Sequence, residues 1–175
     1  LGYSSAVLSS LIKEGLLEQS QKPELAIDEY DTDSSVLQIK LTEAQRHVVE
    51  EVSAKFQPPS KGEKSDTGQY SSFLLHGVTG SGKTQIYLEL ARRALRLGLG
   101  VLVLVPEIAL TPQIVARFRS YLGNKVAVIH SQMTPAQRFA IWQGLRENRL
   151  QVIVGARSAL FAPVRNLGLI VVDEE

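Results

Sequence analysis

Eight consecutive residues, Gly77-Val78-Thr79-Gly80-Ser81-Gly82-Lys83-Thr84, match the pattern G-x-x-x-x-G-K-[ST] without gap or substitution. Residues of these types at this spacing build a loop that holds a polyphosphate. Glycines at 77, 80 and 82 let backbone N–H groups turn inward where side chains would obstruct the curl, and a helix starting near Lys83 adds the positive end of its dipole. Lys83 can then reach the β and γ phosphates, while Thr84 offers a hydroxyl to Mg²⁺. Towards the other end of the chain, the apolar run Leu169-Ile170-Val171-Val172 finishes in Asp173 and Glu174. Asp173 suits Mg²⁺, directly or through water, because a hard cation prefers oxygen ligands, and Glu174 suits orienting or deprotonating an attacking water. Glu175, third in the run, is expected behind these groups or in solvent. The chemistry implied is Mg²⁺-dependent hydrolysis of the ATP γ-phosphate. Lys83, Asp173 and Glu174 are its catalytic candidates, Gly77 to Thr84 form the nucleotide cradle, and Thr84 and Asp173 are the metal ligands.

For both groups to serve one nucleotide, they must meet at one edge of a sheet. Phe73-Leu74-Leu75-His76 is an apolar run of strand length, and Gln85 to Leu97 has helical apolar spacing through Ile86, Leu90, Ala94 and Leu97, so the loop lies between strand and helix. The alternation continues: strand 73–76, helix 83–97, strand 101–105, helix 112–122, strand 126–130, helix 135–147, then strands 151–154 and 168–172. Gly98-Leu99-Gly100 stops one helix, and Thr111-Pro112 and Thr134-Pro135 each place a cap before a first-turn proline. Runs such as Val101 to Val105 and Leu169 to Val172 predict strands buried on both faces. The expectation is an α/β fold, a parallel sheet with helices on both faces, in which ligands bind at the carboxyl ends of the strands and Asp173 lies beside the phosphate loop. Arg92, Arg93 and Arg96 read as a solvated basic helix face, and Trp142, at helical spacing with Phe139 and Leu145, reads as core. His130 follows a strand, where a structural and a functional histidine are equally expected.

At 175 residues and 44% hydrophobic composition the chain can bury a core, and its lack of cysteine excludes disulfides and Cys-based zinc sites within it. Its longest apolar run is broken by Pro106 and Glu107, well short of a membrane span, and no leader-like segment opens it, so a soluble cytoplasmic protein is expected. Residues 1–40 carry 3 Lys and no Arg against 7 acids, whereas 41–175 carry 16 Lys plus Arg against 11, so the second part is the one suited to a polyanion. Ser4 to Leu17 has helical spacing and ends at Gly15, and 22–35 reads as a wing and linker. Residues 1–35 are weakly similar to the end of a winged-helix domain, and their acidity points to a structural role rather than DNA binding. Residues 57–72 are too polar to order themselves and are expected to form a mobile insertion in the domain of 36–175.

Several stretches together resemble one family. Leu41-Thr42-Glu43-Ala44-Gln45 forms a capping box and is also similar to the Q motif of superfamily 2 helicases, which implies that Gln45 reads adenine. The phosphate loop with Tyr87, Val105-Pro-Glu-Ile-Ala-Leu-Thr-Pro-Gln113, His130-Ser131, Gly155-Ala-Arg-Ser-Ala-Leu-Phe161 with Pro163, and Asp173-Glu-Glu175 stand in the order of the primosomal replication-restart helicases, densely over about 36–175. Ala156 stands where many relatives carry Thr. The resemblance implies a RecA-like lobe of an ATP-driven 3′–5′ DNA helicase that restarts stalled forks, with ATP and Mg²⁺ as cofactors. It also implies DNA, primosome and single-strand-binding proteins as partners, and a nucleoid-associated cytoplasmic location. It assigns Thr111, Arg157 and Ser158 to the DNA backbone, roles these residues can support from a helix start and a strand's carboxyl end. The alternatives are another superfamily 2 translocase of repair or recombination, a small-molecule kinase, and a non-catalytic scaffold. Zinc is expected only in a second lobe, and in the family's fold a further strand lies between the phosphate-loop strand and the Asp173 strand. These residues alone, expected as a monomer, would then leave a slot in the sheet or else fill it by rearrangement or by self-association, and would hydrolyse ATP negligibly.

Overall fold

The computed structural model describes residues 9, 10, 12–14, 40–58, 70–78 and 80–173. Four helices and four strands carry the domain: α1 (Glu43–Ser53), α2 (Lys83–Arg96), β1 (Gly100–Leu104), α3 (Pro112–Leu122), β2 (Val126–Ile129), α4 (Pro135–Arg146), β3 (Val152–Gly155) and β4 (Leu167–Val172). Their boundaries follow local signals. Thr42 closes a reciprocal capping box with Gln45, and Thr134 does so with Gln137. Thr111 caps α3 ahead of Pro112, and α2 ends before Gly98 at φ +74°.

All strand pairs are parallel, in the order β2-β3-β1-β4, with Leu104 level with Gly155 and Val172, and Ile129 level with Gly155. Every strand therefore finishes at one common edge. Along β1, β2 and β3, successive side chains alternate between two covered faces. Val101, Val103, Val126, Val152, Val154 and Val171 pack with Leu88 and Ala91 of α2 and with Phe118 and Leu122 of α3. Leu102, Ala127, Ile129 and Ile153 pack on the opposite side with Ile141 and Leu145 of α4. α1 adds a further layer, setting Val49 against Ile86 and Leu90 of α2. The expected α/β architecture with helices on both faces is what forms.

Four expectations need correction. Residues 73–76 form no strand: Leu74 is 94% exposed, and β4 ends the sheet with no further strand beside it among the described residues. An apolar run becomes a strand only where a neighbouring edge takes up its backbone groups. β4 is covered on one face only, Val171 being buried while Ile170 and Val172 are exposed, since α4 packs on β1, β2 and β3. α4 buries Ala140, Ile141, Gly144 and Leu145, which turns Phe139 and Trp142 outward. Arg92 and Arg93 do not form a solvated face, because both hydrogen-bond the carboxylate of Glu89. Of the proposed helix 4–17, residues 9, 10, 12 and 13 are helical, and the remainder lies outside the described residues, as does the linker 22–35. Within the insertion, residues 57, 58 and 70–72 are irregular and 59–69 lie outside the description. Among the described residues no helix is long and apolar enough to cross a membrane.

Candidate active site

The phosphate loop leads straight into α2, whose N-cap is Gly82 at φ +85° with no side-chain cap. That end of α2 presents first-turn N–H groups and the positive end of the helix dipole, the donor set a phosphate requires. Gly80 also has positive φ, at +81°, and Ser81 N–H donates to the Val78 carbonyl at 3.1 Å to close the turn. Lys83 Nζ donates to the Gly77 carbonyl at 2.8 Å, so the lysine lies across its own loop. Thr84 is in the first turn of α2, partly buried. Thr79 lies outside the described residues.

Gln45 is brought to this loop by α1. Its Oε1 accepts from Thr42 N–H at 2.9 Å, and its Nε2 donates to the Ser81 carbonyl at 3.0 Å. A primary amide has two N–H groups and two lone pairs on oxygen, so one of each stays available, the pairing an adenine edge needs. The contact to Ser81 was missed in the sequence because nothing local marks it. The same closeness explains Gly82: a Cβ there would lie 2.5 Å from Gln45 Nε2. Gly82→Ala is therefore expected to cost about 1–2 kcal/mol in backbone strain and to displace Gln45, lowering nucleotide affinity at least about tenfold. Titration with a fluorescent ATP analogue measures this, and unchanged affinity would contradict it.

Asp173 continues the edge beyond β4. Its N–H donates to the Leu104 carbonyl at 2.8 Å, and its Oδ1 accepts from the Tyr87 hydroxyl at 3.5 Å. Tyr87 lies one turn beyond Lys83 on α2, so the loop's helix and the carboxylate lie at the same end of the sheet. Glu174 and Glu175 lie outside the described residues. Among the described residues no three His, Cys, Asp or Glu side chains cluster as a metal cage. Mg²⁺ needs none, since it commonly binds one or two protein oxygens together with substrate phosphates. Lys83, Thr84, Asp173 and the uncapped helix end fit that donor set.

The remaining candidates line the same edge. Thr111 Oγ1 accepts from Ile114 N–H at 3.4 Å as the α3 cap, which leaves its hydroxyl hydrogen to donate elsewhere. Arg157 and Ser158 open the short 3-10 turn Arg157–Phe161 after β3; Arg157 is exposed and makes no ion pair among the described residues. His130 and Ser131 follow β2, with Ser131 exposed.

Sequence comparison gives this geometry its setting. A family model described as "Type III restriction enzyme, res subunit" matches residues 38–175. The chain is 42% identical to replication restart protein PriA of Bacillus subtilis (strain 168), over 98% of this chain and 20% of that protein. It is 40% identical to the PriA of Synechocystis sp. (strain ATCC 27184 / PCC 6803 / Kazusa) over 98% of this chain and 19% of that protein, and 37% identical to the PriA of Chlamydia muridarum (strain MoPn / Nigg) over 98% and 22%. The chain thus spans about a fifth of the length of the curated relatives it matches, and the resemblance read from its motifs to the replication-restart helicases is borne out. With a RecA-like α/β lobe ending its strands beside a phosphate loop, and a family model running from ahead of Gln45 through Asp173, the chain belongs to the family described as type III restriction enzyme, res subunit.

Proposed function

We propose that this chain is the nucleotide-binding lobe of an ATP-driven DNA helicase that moves 3′ to 5′ and acts at stalled replication forks in replication restart. The observation that carries the ATPase half is the approach of Asp173 to Tyr87 at 3.5 Å, one turn from Lys83. It supports a single metal–nucleotide site between loop and carboxylate. When bound, Mg²⁺-ATP supplies the cleavable γ-phosphoryl bond and the charge that the loop compensates. Gly80 and Gly82 open the loop and Lys83 can pass its N–H bond from Gly77 to a phosphate oxygen; Thr84 and Asp173 would hold the Mg²⁺, and Glu174 would orient and deprotonate the attacking water. Gln45 reads adenine with its spare donor and acceptor.

The DNA half draws on the curated relatives' name and on the row of donors along the common strand edge. Thr111, Arg157 and Ser158 contact the backbone of a single strand there, which positions it without reading sequence. The direction of movement and the partnership with primosome and single-strand-binding proteins follow the family resemblance, as does a cytoplasmic, nucleoid-associated location. ATP turnover by the intact protein, with and without forked DNA, tests the proposal. Stimulation by DNA that Glu174→Gln abolishes is expected; turnover indifferent to DNA would favour a different phosphoryl-transfer enzyme, and partner binding with no turnover would favour a scaffold.

A further inference from the structure

Two residues from the motif stretches, Glu107 and Ser131, have no part in the mechanism above, yet they are bonded to each other. Glu107 follows β1, in the 3-10 turn Glu107–Ala109, and is exposed. A carboxylate in that position would ordinarily point into water. Instead its Oε1 accepts from the Ser131 backbone N–H at 3.3 Å and from the Ser131 hydroxyl. The Ser131 hydroxyl first, then its N–H and the nearby His130, hold the carboxyl below the usual carboxylate range, so it is ionised at neutral pH. In the sheet order β3 separates β1 from β2, so this bond spans the carboxyl end of β3, where Arg157 and Ser158 begin. Downstream of Glu107, the same loop ends at Thr111.

A carboxylate cannot itself bind a phosphate, and its charge opposes a polyanion. What it can do on a phosphate-binding edge is order the donors around it. We propose that Glu107 is a positioning residue of the nucleic-acid edge: a strap over the end of β3 that holds the Thr111 loop and the Ser131 turn at one spacing, so that successive phosphates of a single strand meet donors on both. This rests on the DNA reading above and adds to it the residue that sets the geometry of the track.

The test is equilibrium binding of single-stranded and forked DNA to the intact protein across a salt series, using Glu107→Ala, Glu107→Gln, Ser131→Ala and the Glu107→Ala/Ser131→Ala double variant. Removing a negative charge alone would tighten binding. The strap instead requires Glu107→Ala to weaken it about three- to tenfold, the worth of one ordered hydrogen-bonded contact, and to lower the slope of log affinity against log salt by about one phosphate. Glu107→Gln, which keeps an acceptor for the Ser131 N–H, should lie between. The double variant should be no weaker than the worse single one, as for two ends of one interaction. A purely structural role would lower the melting midpoint and leave the salt slope alone. Binding by Glu107→Ala as tight as or tighter than the parent, or losses that add in the double variant, would overturn the strap while leaving the DNA reading intact. Failure of the unsubstituted protein to bind DNA removes the DNA reading itself, and the strap with it.

Discussion

Replacing Lys83 by alanine is expected to lower DNA-stimulated ATP turnover of the intact protein by about two to three orders of magnitude, the usual worth of one preorganised donor to transition-state charge. The ammonium group now bonds the Gly77 carbonyl at 2.8 Å, a contact internal to the loop. Its loss should cost the fold less than it costs turnover, because Lys83 is only partly buried and is not part of the hydrophobic core. The informative comparison is therefore turnover against melting temperature, with turnover collapsing while the midpoint stays near that of the parent. Retained turnover would mean that phosphate charge is met by some other cation, and the proposed site would have to be abandoned. Lys83→Arg is no remedy, since a planar guanidinium does not replace a compact point charge in a tight loop.

The second large effect concerns stability. Glu89 sits on α2 with its side chain only 7% exposed, and its carboxylate accepts from Arg92 at 2.7 and 2.9 Å, from Arg93 at 3.2 Å and from the Tyr121 hydroxyl of α3 at 2.7 Å. Arg93 also donates to Ser53 of α1 at 2.9 Å, and Arg92 lies 5.6 Å from the centre of the Tyr121 ring. Three helices are thereby joined through one carboxylate. Glu89→Ala strands the Tyr121 hydroxyl and both guanidinium groups, and is expected to cost about 2–4 kcal/mol, somewhat below a fully buried pair because the arginines are partly solvated. Urea unfolding checks this, and a loss below about 1 kcal/mol would show that solvent already carries the network.

The same cluster predicts a pH profile. Burial alone would raise the Glu89 carboxyl, but the bonds from Arg92, Tyr121 and Arg93 outweigh it and hold it below its ordinary value of 4.5. Its contribution to stability is therefore complete above pH 4.5 and is lost as pH falls through the lower folded value. Tyr121 is pushed up to about 12 from 10.0, by burial first and then by its bond to Glu89. Its contribution is complete below pH 10.0 and disappears as pH rises through about 12. Glu89→Ala should remove its share of the acid limb and reduce the alkaline one, which burial of Tyr121 still sustains in part, and a profile matching the parent at both ends would contradict the assignment.

Sequence and structure agree where the controlling interactions are local. Thr42, Thr111 and Thr134 start helices with donors three residues away, and Pro112 and Pro135 fit first turns that need no N–H there. The phosphate loop is legible for the same reason, since its curl depends on glycines within the loop. The valines of β1 and β3 are buried because those strands lie inside the sheet. Composition alone predicted as much for Leu169 to Val172, where neighbouring layers decide otherwise.

From the sequence alone came the helix and strand periods, their caps, the parallel α/β class, and the residues able to handle a phosphate, because each depends on chain neighbours within about one turn. Tertiary structure alone decided three pairings between residues far apart in the chain: Gln45 with Ser81, Glu89 with Tyr121, and Glu107 with Ser131. It also decided that Phe73 to His76 form no strand among the described residues and that β4 is covered on one face. Such outcomes follow from which surfaces and strand edges are brought together in space. Hydrophobic spacing shows that a segment can bury a face or join a ladder, but the partner has to arrive from elsewhere in the chain.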